Sequence, residues 1–192
     1  MSNRIITISR EFGSGGRTIG KRVAEKLGIP CYDAELIQKI AEKSGFTESY
    51  IKEESEYTSG SWLSAALANR SMGPSNQDQL WTIQQNIIKE LAGKSSCVIV
   101  GRCADYILRD KADCLRVFIH SNIKHRAERI VKEYGERAET PEQRLKDKDK
   151  RRASYYRFYT DMKWGQAQNY HISLDSGELG LEKCIEIIAD LY

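Results

Sequence analysis

"ISREFGSGGRTIGKRVAEKLG", residues 8–28, reads as the end of a strand, a glycine-rich turn and the start of a helix, the order of elements with which many proteins hold a phosphate. The usual phosphate-loop pattern is G-x-x-x-x-G-K-[ST]: glycines let the backbone approach, lysine reaches the β and γ phosphates, and the hydroxyl meets magnesium. Three registers lay that pattern on this chain. Gly15-x-x-x-x-Gly20-Lys21 has the literal spacing, but Arg22 then replaces the hydroxyl, and the apolar stripe running from Ile19 puts Gly20 and Lys21 inside the helix. That register is set aside. A second takes Gly16-Arg17-Thr18 as the closing triplet, keeping a cation and a hydroxyl but leaving Glu11 at the first glycine. A third, ungapped from the strand onward, matches Gly13-Ser14-Gly15 to the turn and finds Gly16 where lysine should stand. Both surviving registers keep Thr18 near the helix start and leave Arg17 as the nearest cation.

Read alone, the segment is also a plain glycine-rich turn. Phosphate is favoured physically, because successive N–H groups from Gly13 to Gly16 form a concave nest and the following helix N-terminus adds about half a positive charge. Glycines are costly to order unless something needs the close approach. Arg17 is expected to replace the absent lysine with a fork of different geometry, and Lys21, one helical turn on, is its rival.

Outward from the loop, short β-rich runs alternate with helical patterns: residues 4–9, 29–32, 97–100, 115–119 and 170–174. Five strands separated by helices predict a parallel α/β sheet. Ile19, Val23, Ala24 and Leu27 stripe the first helix, which stops at Gly28-Ile29-Pro30. A second helix is expected after Tyr32-Asp33 with Leu36, Ile37 and Ile40 as its apolar face. Leu80, Ile83, Ile87, Ile88 and Leu91 make a longer one, and Ile123, Ala127, Ile130, Val131 and Tyr134 another. The final helix opens at Asp175 with a pattern resembling a capping box and is expected to bury Leu181, Ile185, Ile188 and Leu191.

Two stretches stand outside this alternation. Residues 45–76 are polar, with Trp62, Leu63, Ala66 and Leu67 as a short apolar island, and read as an insertion over the sheet. Residues 139–164 read as a basic, helical, solvated lid, with Tyr155, Tyr156, Phe158 and Tyr159 as its packing face. From Arg144 to Arg157 seven Lys/Arg face two Asp, in a chain of net charge only +3. A local basic block of that kind fits a small anionic partner and not nucleic acid, which asks for a broader basic face.

The 192 residues fit one domain, and 40% hydrophobic with 30% charged content describes an ordinary globular protein. No apolar run approaches a membrane span, and MSNRIITISR has no leader pattern, so the cytoplasm is the expected compartment. The five cysteines form no C-x-x-C pair, arguing against a disulfide framework or a zinc site, and the three histidines have no companions for a metal or a triad. Oligomeric state is left open.

Three further features carry chemistry. CVIVGRCADYIL ends a buried strand at Gly101-Arg102, where ligands of open parallel sheets sit, although Arg102 also reads as a surface arginine in a turn. Asp33 ends the second strand similarly and equally suits a helix N-cap. In DKDKRRASYYRFYT, Asp149 and Arg152 share a helical face, with Lys148 and Arg151 beside them; phosphoryl transfer needs several cations around the migrating group, and a mobile arm brings them in.

With those residues in hand, the chain resembles the cytidylate-kinase-like family of P-loop kinases over almost its whole length. The carrying stretches are ISREFGSGGRTI, IPCYDAELIQKIAEKSG, CVIVGRCADYIL, DKDKRRASYYRFYT and HISLDSGELG. The resemblance implies a three-layer P-loop kinase core with a five-stranded parallel sheet, a helical insertion that binds the acceptor, and a basic lid, all in a single domain. It implies ATP and Mg²⁺: Gly13, Ser14, Gly15, Gly16, Arg17 and Thr18 hold the donor phosphates, and Thr18 contributes to the metal. Asp33 and Arg102 then face the acceptor. Asp149 and Arg152 match the lid motif D-x-x-R, which in cytidylate kinases helps to bind CMP, and Arg17, Arg152 and Lys148 serve the transferring phosphoryl group.

The chain departs from that pattern at the absent lysine, at Cys103 where a cytidylate kinase has Asp, and in a lid lengthened by TDMKWGQ. The expected reaction is phosphoryl transfer to a nucleoside monophosphate, CMP or dCMP first. A kinase for another small metabolite, and a non-catalytic nucleotide-binding regulatory module, stay open beside it.

Overall fold

The computed structural model describes residues 3–33, 76–111 and 113–192. Strands β1 (Ile5–Arg10), β2 (Cys31–Tyr32), β3 (Cys97–Val100), β4 (Cys114–His120) and β5 (Ile172–Asp175) form one parallel sheet in the order β2-β3-β1-β4-β5. The central strand is the one that runs into the glycine loop. Side chains alternate across a strand, so Ile5, Cys97 and Ile99 go to one face, while Ile6, Ile8, Val98 and Val100 go to the other. On the first face helix α2 (Asn76–Lys94) delivers Ile87, Ile88 and Leu91, and the short α3 (Ala104–Ile107) delivers Ala104. On the second, α1 (Gly16–Leu27) and α6 (Ser176–Asp190) bring Ile19, Val23, Ile185 and Ile188. The result is helix, sheet, helix, in three layers. Each fully buried aliphatic side chain stabilises this arrangement by about 1.5–3 kcal/mol.

Gly28, in the left-handed region at φ 66°, closes α1 as expected. Asp175 caps α6, its side chain accepting from the N–H groups of Gly177 and Glu178. The second helix expected after Asp33, with Leu36, Ile37 and Ile40, and the insertion at 45–76 with its Trp62 island lie outside the described residues. Among the described residues no helix is long and apolar enough to cross a membrane.

Several local readings are corrected. On α4 (Ile123–Tyr134) the expected stripe fails at both ends: Ile123 and Tyr134 are exposed, and Arg126 is buried beside Ala127 and Ile130. The reason is polar: Arg126 donates to the Phe12 carbonyl and pairs with Glu11 and Asp149, so that face of α4 is held by charge. Leu191 is exposed because α6 ends at Asp190.

The basic block is a helix, α5 (Pro141–Thr160), started by a capping box between Thr140 and Gln143. It is less solvated than its composition suggests. Leu145 is fully buried against Ala127 and Ile130, and Arg144 is buried with its guanidinium donating to the Gly135 carbonyl at 3.0 Å. Tyr156 is buried too, whereas Phe158 of the expected packing face is exposed.

Candidate active site

The β1–α1 loop is shaped by backbone conformation before any side chain acts. Gly13 and Gly15 both take φ 80°, and Gly15 is the N-cap of α1 in the left-handed region, where a residue with a Cβ is strained. Ser14 holds the turn from below: its hydroxyl donates to the carbonyls of Glu11 and Ile119, and its own carbonyl accepts from the Ser176 hydroxyl at 2.6 Å. Ser14 is therefore a buried strut of the loop and does not line the cleft above it.

That cleft, of about 550 Å³, lies at the carboxyl ends of β1, β2 and β3, with α5 closing one side. Gly13, Gly15, Gly16, Arg17, Thr18, Asp33, Arg102, Lys148 and Arg152 all line it, so four separate segments of the chain deliver their charged groups to one space. Behind it, the turn after β3 is unusual. Gly101, Arg102 and Cys103 have consecutive positive φ values of 79°, 57° and 53°, and Gln84 on α2 steadies the strain by donating to the Arg102 carbonyl at 3.0 Å. Cys103 is buried, and burial pushes its thiol well above the ordinary range, so it is a packed, uncharged side chain.

Individual groups are engaged differently from the simplest expectation. Arg17 pairs with Asp33 at 2.6 Å, joining the loop to the end of β2. The Thr18 hydroxyl accepts from Arg129 of α4 at 3.0 Å. Lys21 is on the exposed side of α1, away from the cleft. Asp149 does not line the cleft either: one carboxylate oxygen accepts from the Phe12 N–H at 2.7 Å and the other from Arg126. Its partner in the D-x-x-R motif, Arg152, reaches back to donate to the Arg10 carbonyl at 3.1 Å, with its guanidinium 5.5 Å from the Phe12 ring centroid.

Three arginines at this site were not singled out from the sequence. Arg129 and Arg126 sit on a helix whose pattern gave only an apolar stripe, and their one signal is position on the face turned to the loop. Arg10 reads as the last residue of a strand. In the structure it lines the cleft, and burial, reinforced by Arg152 first and then Arg102 and Arg17, pushes its guanidinium down to about 9, with Asp33 opposing.

The sequence profile of the cytidylate kinase-like family matches residues 5–178. The chain belongs to the cytidylate kinase-like family. A cytidylate kinase from Archaeoglobus fulgidus is 30% identical over 190 residues, covering 95% of this chain and 91% of that protein. Among solved structures, an uncharacterized protein from Eubacterium ventriosum superposes with a TM-score of 0.75 at 28% identity, covering 98% of each chain. Shikimate kinase from Acinetobacter baumannii, solved with shikimate, superposes at 0.56 and 18% identity over 98% of this chain and 92% of that one, which shows the shared fold. Family membership makes this chain a kinase-type protein, and the kinase family implies nucleotide binding and ATP use.

Proposed function

We propose that the chain transfers the γ-phosphoryl group of ATP to a nucleoside monophosphate, with CMP or dCMP as the first acceptors to test. One observation carries this reading: a glycine nest at a helix N-terminus shares a single cleft with cations from α1, the β3 turn and α5. Phosphoryl transfer is catalysed mainly by positioning and by charge placed around the migrating group. In this reading the 13–18 loop holds the donor phosphates through its N–H groups. Arg152 and Lys148 stabilise the transferring group from α5, which acts as the lid of a single domain spanning residues 1–192. Asp33 and Arg102 face the acceptor, and the 2.6 Å pairing of Arg17 with Asp33 supports assigning Arg17 to the junction between the two phosphates. Asp149 acts one step back, holding α5 to the loop through Phe12 and Arg126.

The donor set suits magnesium sparingly. No group of three His, Cys, Asp or Glu able to hold a metal occurs among the described residues, and the Thr18 hydroxyl is the ligand that the loop itself offers at the helix start. Mg²⁺ bound there, mostly through phosphate oxygens, would supply charge neutralisation, and Arg129 would have to leave Thr18. Protein and substrate are taken to meet in the cytoplasm, with no nucleic acid or membrane involved.

A second acceptor class has its own support. Cys103 stands where the resemblance expects Asp, and its buried thiol offers no charge to a cytosine ring. The test is ADP release with ATP and Mg²⁺ across a panel of nucleoside monophosphates and small hydroxylated metabolites. Turnover confined to CMP and dCMP supports the first reading, and turnover confined to a metabolite supports the second. ATP binding without any turnover assigns the chain to regulation.

A further inference from the structure

We propose that Arg10 is the phosphate-binding cation that the glycine loop otherwise lacks, acting from the first position of the loop in place of a lysine at position 16; this rests on the reading of the loop as an ATP phosphate site. In the register that matches Gly13-Ser14-Gly15 to the turn, the pattern's first glycine falls on Arg10 and its lysine on Gly16. The long cation and the glycine have changed places.

The packing shows why both changes go together. A Cβ added to Gly16 would lie 2.5 Å from Cβ and 3.0 Å from Cγ of Arg10, so the stem of Arg10 already fills the room that a side chain at 16 would need. Farther along, a Cβ on Gly101 would lie 2.0 Å from Nη1 and 2.9 Å from Cζ of Arg10. Two glycines from separate elements thus clear one track, and the guanidinium at its end lines the cleft.

Pairing separates Arg10 from three arginines beside the loop. Arg17 is paired with Asp33, Arg129 with Thr18 and Glu133, and Arg126 with Glu11 and Asp149. The Arg10 side chain forms no ion pair or hydrogen bond among the described residues. Arg152, Arg102 and Arg17 crowd it with like charge, and among the described residues Asp33 is the carboxylate that offsets them. An enclosed guanidinium so placed gains most from an incoming polyanion, and its fork suits phosphate oxygens.

The experiment measures ATP affinity by calorimetry, together with ADP release and thermal midpoint, for the full chain and for Arg10→Ala, Arg10→Lys, Gly16→Lys and the double variant Arg10→Gly/Gly16→Lys. Arg10→Ala is expected to weaken ATP binding by about tenfold to a hundredfold, the loss of a charge-assisted hydrogen bond, without lowering the thermal midpoint. Arg10→Lys should recover most of the affinity. Gly16→Lys alone should fail because of the clash with the Arg10 stem. The double variant, which restores the usual pattern, should bind ATP better than either Arg10→Ala or Gly16→Lys. Wild-type affinity in Arg10→Ala overturns the proposal, as does Arg10→Lys behaving as Arg10→Ala while the double variant gains nothing. Absence of ATP binding by the unmodified chain is a different result: it overturns the phosphate reading of the loop itself, and this proposal with it.

Discussion

Arg126 and Arg10 flank the same loop and are enclosed in opposite ways. Arg126, between α4 and α5, is buried among the Phe12 carbonyl and the carboxylates of Glu11 and Asp149. Arg10, at the strand ends, is ringed by the charges of Arg152, Arg102 and Arg17, with Asp33 in opposition among the described residues. The first environment completes its charge within the protein and fixes the lid helix to the loop. The second is left cationic, so stability there is given up for an anion that arrives later. The same residue type thus separates scaffold from site by what surrounds it.

The largest test of that contrast is Arg152→Ala, which should lower kcat by about 10³ or more, the range of a transition-state arginine, with little change in thermal midpoint. A loss of rate matched by loss of stability would move Arg152 to the scaffold side. Arg126→Ala should do the reverse: it strands two carboxylates beside the loop and should cost about 3 kcal/mol in urea unfolding. Unchanged stability would break the comparison at its other end.

Asp33→Ala and Arg102→Ala probe the acceptor side. Each should raise the KM for the acceptor by about tenfold, the loss of one charged hydrogen bond, and leave that for ATP nearly unchanged. Equal effects on both substrates would mean that the two subsites are not separate.

The smallest effect concerns Asp105, buried on α3 and accepting from Tyr156 of α5 at 2.6 Å and from Ser9 of β1 at 3.1 Å. Burial raises its carboxyl above the ordinary range, and these hydrogen bonds only partly oppose the shift. With the folded value above the unfolded value of about 3.9, the folded state holds the proton longer, so stability is lost as pH rises through the folded value. Asp105→Asn should therefore flatten the fall of thermal midpoint with rising pH. An identical pH profile would show that Asp105 is ionised in both states over that range.

Much of the fold was legible because its causes are local. Alternating apolar runs and helical stripes gave five strands in parallel order, and Gly28 and Asp175 marked helix ends through conformational preferences of their own. The glycine loop, Arg102 and the basic helix pointed to the carboxyl end of the sheet, where they line one cleft. Legibility stopped where a residue's role depends on distant neighbours. The resemblance to the lid motif assigned Asp149 to the substrate, and nothing in its local sequence announces that it accepts from an N–H 137 positions away. Arg126 interrupted an apolar stripe for the same reason.

By itself the sequence determined a parallel α/β sheet, a glycine-rich loop without the usual lysine and a cationic helix, since periodicity, capping and composition act over a few residues. Only the tertiary structure decided which cations are spent on the scaffold and which face the cleft. The energy of a buried charge depends on what lies within a few ångströms in space, and around Arg10 those neighbours come from α1, β2, β3 and α5 at once.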